Sequence, residues 1–409
     1  MVVLFHSNKL EIQVSSMTAT TNNFNSRMDR VQLPLIPVVG ELIRNHPGTI
    51  SLGQGVVNYP PPLQAIASLQ TFLAQPSNHL YQAVTGIEPL IKAIAQKLAI
   101  DNQIEITEQN EIVVTAGSNM GFLNAILAIT QAGDEIILNT PYYFNHEMAI
   151  TLANCHPVLV NTDRNYQLDL QAIAQGITAK TKAIVTISPN NPTGVVYSRA
   201  SLQAVNDLCR DRGIYHISDE TYEYFTYDGV EHTSPASFAD SGAHTISLFS
   251  LSKAYGFASW RIGYMVVPEH LIMPITKIQD TNLICPPVVS QYAAIGALTA
   301  GKSYCQQHLT EIAQVRTVVA ERLNSIKDIC AISPADGAFY FFLKINTDLN
   351  DFELVKRLIE QDRVAVIPGS TFGMKPGCYL RVAYGSLPLS TAKEGIERLI
   401  KGLAKAIAV

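Results

Sequence analysis

From about residue 86 the chain alternates between two hydrophobic periods. GIEPLIKAIAQKLAI sets Leu90, Ile91, Ile94 and Leu98 on one helical face, and EIVVT (111–115) is a short β-branched run. The exchange continues through FLNAILAITQ, DEIILNT, PVLVNT, LDLQAIAQGI, KAIVTIS, SLQAVNDLCRDRG, IYHIS, TISLFS and RIGYMVV. Short apolar strands separated by helices predict a three-layer α/β fold, a mostly parallel sheet covered on both faces. RIGYMVV follows TISLFS with no helical stretch between them, so this pair can be an antiparallel exception. Beyond about residue 268 the pattern changes to long helix-compatible stretches (269–281 and 288–325). Strand-like FYFFLKI (339–345), a helix in DFELVKRLIEQD, strands at VAVIP and YLRVAY, and an amphipathic helix from about residue 390 follow. The last hundred residues read as a second, smaller α+β domain.

Composition narrows the picture by exclusion. The chain has 409 residues, 47% hydrophobic and 15% charged, as an ordinary globular protein does. A formal charge of −5 without any Lys/Arg block gives no pull toward nucleic acid or anionic lipid. Charges interrupt every apolar run before the roughly 18 residues a membrane span needs. The six cysteines show no CxxC and no neighbouring zinc-type histidines, so no metal site is expected and the thiols suit a reducing, cytoplasmic setting. Lys9 and Glu11 make the first residues a poor secretory signal. Residues 1–30 read as a tail, with Met17 and Met28 as competing starts.

Candidate chemistry collects where the strands end. In a parallel α/β sheet, ligands bind beyond the carboxyl ends of the strands. Here five consecutive strand ends run into Ala-Gly-Ser-Asn (116–119), TPYYFNH, SPNNPTG, DETY and SLSKAYG. Gly117, Ser118 and Asn119 stand between a strand and a helix, where backbone N–H groups and the helix dipole suit an anion. Asp219 ends an apolar strand, where a carboxylate is costly unless paired. Lys253 lies among Ser250, Ser252, Gly256 and Arg261 after a buried strand, a setting that lowers an amine's pKa and makes it nucleophilic. Arg381 sits in a β-branched strand, and its planar fork matches a carboxylate.

SLSKAYGFASWRIG (250–263), NNPTG (190–194), SDETY (218–222), the turn at Gly117 and LRVAYG (380–385) together resemble the class I/II pyridoxal-phosphate aminotransferases, in that family's order and spacing. The resemblance implies the type I fold and pyridoxal 5'-phosphate as cofactor. It implies a tail over 1–30, a large cofactor domain over 59–301, and a small domain from 31–58 plus 302–409. Lys253 would form the Schiff base with the cofactor and shuttle the proton. Asp219 would pair with the pyridine nitrogen, and Asn191 and Tyr222 with the phenolic oxygen. Gly117, Ser118, Asn119, Ser250 and Arg261 would hold the phosphate. Tyr143 would stack on the ring, with Tyr142 and Phe144 as competing choices. Gly55, in LGQGVVNYPPP, would face the substrate beside Asn191, although Val57-Asn58 replaces the family's usual Pro-Asp. Arg381 would grip the substrate's α-carboxylate, and Tyr81 would reach the phosphate of a neighbouring subunit in a homodimer.

The implied reaction is a ping-pong transfer of an amino group from an L-amino acid to a 2-oxo acid. Asn119 stands where some dicarboxylate-specific relatives carry a basic residue. Together with Tyr142, Tyr143, His146 and Phe339, this favours aromatic, methionine-like or glutamine-like substrates. A C–S β-lyase or a cyclopropane-forming synthase on the same fold is the alternative. A cofactor-sensing regulator is disfavoured, because about 30 non-basic residues precede the resembling portion.

Overall fold

The computed structural model describes residues 27–407. The competing start at Met17 and most of the tail lie outside the described residues. Arg27 and Arg30 lie within them and lean on the helix Phe144–Leu152, donating hydrogen bonds to Leu152 O and to Asn154 Oδ1 just beyond it.

Ahead of the main sheet comes a two-residue strand, β1 (Ile50–Ser51). The sheet itself comprises β2 (Asn110–Thr115), β3 (Glu135–Thr140), β4 (His156–Asn161), β5 (Thr181–Ile187), β6 (Tyr215–Asp219), β7 (Thr245–Ser250) and β8 (Gly263–Pro268). Their order is β2-β8-β7-β6-β5-β3-β4. Only β8 runs against the others, pairing Val113 with Met265 on one side and Ser250 with Gly263 on the other. The antiparallel exception expected at RIGYMVV is this strand. β7 and β8 are buried along their whole length, as strands covered on both faces must be. The helix Glu88–Lys97 buries Leu90 and Ile94, and Leu98 follows on the same face.

The carboxyl-terminal part builds a second sheet from β9 (Cys330–Ile332), β10 (Tyr340–Ile345), β12 (Ile367–Pro368) and β13 (Cys378–Ala383), all antiparallel, in the order β12-β13-β10-β9. Between them β11 (Val364–Ala365) pairs in parallel with β1. VAVIP is therefore two short strands serving two different sheets. This pairing draws residues 50–55 onto the second sheet, where Ala383 N donates to Leu52 O at 2.6 Å. One hydrophobic core joins the two sheets through Tyr222, Phe225, Phe339 and Tyr340.

The long helical stretch 288–325 is broken. Gly301, at φ +69°, ends the helix Val288–Ala300, and Lys302–Asn324 begins beyond it. The glycine is a local stop signal that the apolar periodicity of the stretch does not register. Among the described residues no helix is long and apolar enough to cross a membrane.

Candidate active site

Parallel registration puts the ends of β5, β6 and β7 side by side, with Ile187 opposite Asp219 and Asp219 opposite Leu248. The loops leaving these ends enclose a cavity of about 180 Å³. Every residue given above a role toward cofactor or α-carboxylate lines it except Gly117 and Tyr81. Gly117 sits directly behind the wall. Tyr81 is 78% exposed on the outside of the chain.

Lys253 reaches the cavity from the first turn after β7, and its Nζ donates to Gly55 O at 2.5 Å. Burial lowers its pKa to about 8, Arg381 and Arg261 add to the effect, and Asp219 opposes it. An appreciable fraction of the amine is thus neutral, and nucleophilic, near neutral pH. Asp219 is 4% exposed. Burial works against its ionisation, but His146 and Thr221 outweigh burial and hold the carboxyl below its ordinary range. His146 Nε2 lies 3.2 Å from Asp219 Oδ2, and its ring stacks on Phe122 at 3.9 Å. The result is a buried anion facing a partly deprotonated amine across one cavity.

At one end of the cavity the helix Ser118–Ile129 presents its N-terminus. Gly117 has φ +81°, and a Cβ there would collide with the Arg261 guanidinium. The positive φ favours glycine, and a Cβ there would push the guanidinium aside. Arg261 is itself held in the left-handed region at φ +54° and donates to Ala258 O at 2.8 Å, which aims the guanidinium across the turn. Thr221 Oγ1 donates to Ser118 Oγ at 3.2 Å, and Ser250 and Ser252 add hydroxyls. Hydroxyls, a helix N-terminus and a guanidinium converge there on a small volume, which is the chemistry of an anion site.

Toward the second sheet, β13 delivers Arg381. Its Nη1 donates to Asn191 Oδ1 at 2.9 Å and its Nη2 to Gly53 O at 2.8 Å. The guanidinium lies 4.6 Å from the Tyr340 ring centre and 5.0 Å from that of Phe372. The pairing of β1 with β11 matters here, because it brings the Gly53 carbonyl to a strand more than 300 residues away.

Residues 47–399 match the family Aminotransferase class I and II. The chain belongs to this family. It is 30% identical over 380 residues to an aromatic aminotransferase of Arabidopsis thaliana, covering 91% of this chain and 94% of the relative. It is 32% identical to an aspartate aminotransferase of Pyrococcus abyssi, over 94% of this chain and 98% of that one. The solved aromatic aminotransferase of Pyrococcus horikoshii superposes with a TM-score of 0.83 at 31% identity, covering 91% of this chain and all of that one.

Class I/II aminotransferases are pyridoxal-phosphate enzymes that act on amino acids and 2-oxo acids. The residues here suit that cofactor. An anion cradle lies at Gly117, Ser118 and Arg261, a buried carboxylate stands at Asp219, and an amine with a lowered pKa stands at Lys253. Sequence reasoning overlooked several residues of this aminotransferase's cavity, Ile36, Ile187, Thr221 and Tyr340, and had Phe144 only as a competing choice and Ser252 only as a neighbour of Lys253. Thr221 was within reach, since it stands inside the SDETY segment. Tyr340 read only as part of a strand. Of the four residues offered as a side-chain pocket, Tyr143 alone lines the cavity. His146 instead supports Asp219, and Phe339 packs edge-on against Tyr222 at 5.3 Å between ring centres. The alternation of polar and aromatic residues in TPYYFNH does not reveal that the helix Phe144–Leu152 starts within it and turns His146 inward.

Proposed function

We propose that this aminotransferase acts on amino acids with aromatic or apolar side chains, among them methionine-like ones. The observation that carries the reading is the distribution of charge in the cavity. Its lining cations are Lys253, Arg261 and Arg381, while Ile36, Phe144, Ile187 and Tyr340 form apolar wall. With Arg261 on the cofactor phosphate and Arg381 on the α-carboxylate, no cation of this cavity is left for a second carboxylate. Relatives named for aspartate and for aromatic substrates lie at the same level of identity, so the lining carries the distinction. The test is a panel of amino donors mixed singly with the loaded enzyme and followed by cofactor absorption. Phenylalanine, tyrosine and methionine are expected to bleach the visible band, and reaction with aspartate and glutamate alone would overturn the reading.

In this reading Asp219 holds the pyridine nitrogen, Asn191 and Tyr222 hold the phenolic oxygen, and Tyr143 lies against the ring. Gly117, Ser118, Asn119, Ser250 and Arg261 hold the phosphate. Bound pyridoxal phosphate supplies an electron sink for the pair left on the substrate α-carbon when its proton departs. Asp219, kept ionised by His146, keeps the ring nitrogen protonated through a charge-assisted bond. Lys253 Nζ would be the base that takes the α-proton and returns it. Arg381 binds the α-carboxylate in two parallel bonds and so sets the α-proton toward Lys253. Asn191, bonded to Arg381, links the two ends of the site, with Gly55 lining the wall between them.

The same reading includes a homodimer. The helix Leu63–Ala74 exposes Leu63, Ile66 and Leu73 along one face, with Leu63 83% exposed, and Leu80 and Tyr81 follow directly. An apolar stripe of this kind calls for a partner. A second copy seated there would bring Tyr81 to its neighbour's phosphate site. The 31–58 plus 302–409 small domain and the 59–301 large domain are part of the proposal, with substrate held between them by Arg381.

A further inference from the structure

Tyr340 is fully buried at the start of β10 and faces the cavity. Its hydroxyl lies 2.5 Å from that of Tyr222. The missing side chain of Gly55 makes room for it, since a Cβ there would stand 2.5 Å from Tyr340 Oη. Each tyrosine has a single proton, so one of the two hydroxyls must donate to the other. Among the described residues, the Tyr222 oxygen is the hydrogen-bond partner found for the Tyr340 hydroxyl. Both hydroxyls border the cavity, so the one that does not donate within the pair turns its proton to the cavity. With Tyr340 as donor, it is the proton of Tyr222 that points into the cavity.

We propose that Tyr340 is a positioning residue for the cofactor: by donating to Tyr222 it fixes the direction of the Tyr222 proton toward the cofactor's phenolic oxygen. Arg381 supports this polarity. Its guanidinium, 4.6 Å from the ring centre, draws electron density from the phenol and strengthens its O–H as a donor. Burial pushes the Tyr340 hydroxyl up to about 12, with Arg381 and the Tyr222 bond working against it. At Tyr222, burial and the bond to Tyr340 act together and raise the hydroxyl well above 10. Hydrogen bonds in such a chain polarise one another, so the first strengthens the second. The arrangement also joins the α-carboxylate grip to the cofactor's oxygen through one side chain. The inference rests on the proposed contact between Tyr222 and the phenolic oxygen.

A bond donated to the phenolic oxygen draws electron density from it and makes the nitrogen that Lys253 contributes to the chromophore less basic. Weaker donation raises the pH at which the visible absorption changes. The experiment is a pH titration of cofactor absorption in wild type, Tyr340→Phe, Tyr222→Phe and the double variant. Phenylalanine keeps the ring under Arg381, so packing is retained. Tyr222→Phe is expected to raise the midpoint by about one pH unit, and Tyr340→Phe by about 0.5, a threefold change in the protonation equilibrium. In the Tyr222→Phe background the second substitution should add nothing, because the chain it feeds is gone. An unmoved midpoint in Tyr340→Phe beside a shifted one in Tyr222→Phe would overturn the role of Tyr340 alone. If neither moves, the contact of Tyr222 with the phenolic oxygen falls as well.

Discussion

Lys253 carries a cost in the cofactor-free protein. Burial, with Arg381 and Arg261, lowers its pKa from 10.5 to about 8. Below pH 8 the folded chain must hold a charged amine that its surroundings disfavour, and above pH 10.5 the amine is neutral both folded and unfolded. The penalty is therefore full at pH 7 and disappears as pH rises through 8 to 10.5. Lys253→Met is expected to make the cofactor-free protein more stable at pH 7, by roughly 2 kcal/mol after the lost bond to Gly55 O is discounted. Urea unfolding at several pH values checks this, and the gap to wild type should close toward pH 10.5. Arg381→Lys keeps the charge but loses the fork and one of its two bonds, to Asn191 Oδ1 or Gly53 O. On the proposed binding of the α-carboxylate by Arg381, we expect kcat/KM for amino donors to fall about a hundredfold, with KM rising more than kcat falls, because that contact is made with the ground-state carboxylate. Lys253 and Arg381 were both readable from residue type in context. Tyr340 was not, because its role depends on one hydroxyl 118 positions away.

At the scale of elements, the segment after β6 is anchored from behind. Lys97, at the end of the helix Glu88–Lys97, donates to both carboxylate oxygens of Glu223 at 2.6 Å, and both side chains are buried. Asn102 Nδ2 also donates to Glu223 Oε2, and the Lys97 ammonium lies 4.7 Å from the Phe249 ring centre. Glu223 comes one residue after Tyr222, so this pair ties the site's loop to a helix on the sheet's flank. Glu223→Leu leaves Lys97 charged and unpaired in the interior and should cost about 3–5 kcal/mol. Adding Lys97→Met should recover most of that loss. Thermal unfolding of the two variants distinguishes this from simple loss of packing, which the second substitution would worsen. The strands and helices of the main sheet were legible because buried faces impose local periods of 2 and 3.6. The division of VAVIP between two sheets was not, because it depends on partners distant in sequence.

For the whole molecule, the proposed dimer with exchanged Tyr81 predicts complementation. Tyr81→Ala and Lys253→Ala are each expected to be weakly active or inactive alone. In a C2 dimer, a mixed pair has one site with both residues and one with neither. Random re-association of equal amounts should therefore restore about a quarter of wild-type activity, measured after subunit exchange in mild denaturant. No recovery, with exchange shown by mass, would exclude the shared site. Leu63→Glu on the exposed stripe is expected to shift the protein toward monomer in sedimentation and to lower activity with it. The sequence by itself determined the alternation of elements, the mostly parallel sheet with room for one reversed strand, and the residue types at the strand ends, since these follow from local burial and backbone geometry. Only the tertiary structure decided that His146 supports Asp219, that Gly53 holds Arg381, and that Tyr340 meets Tyr222. Those contacts join residues tens to hundreds of positions apart. Their geometry is set by strand register and by the packing of the second sheet, which no local pattern encodes.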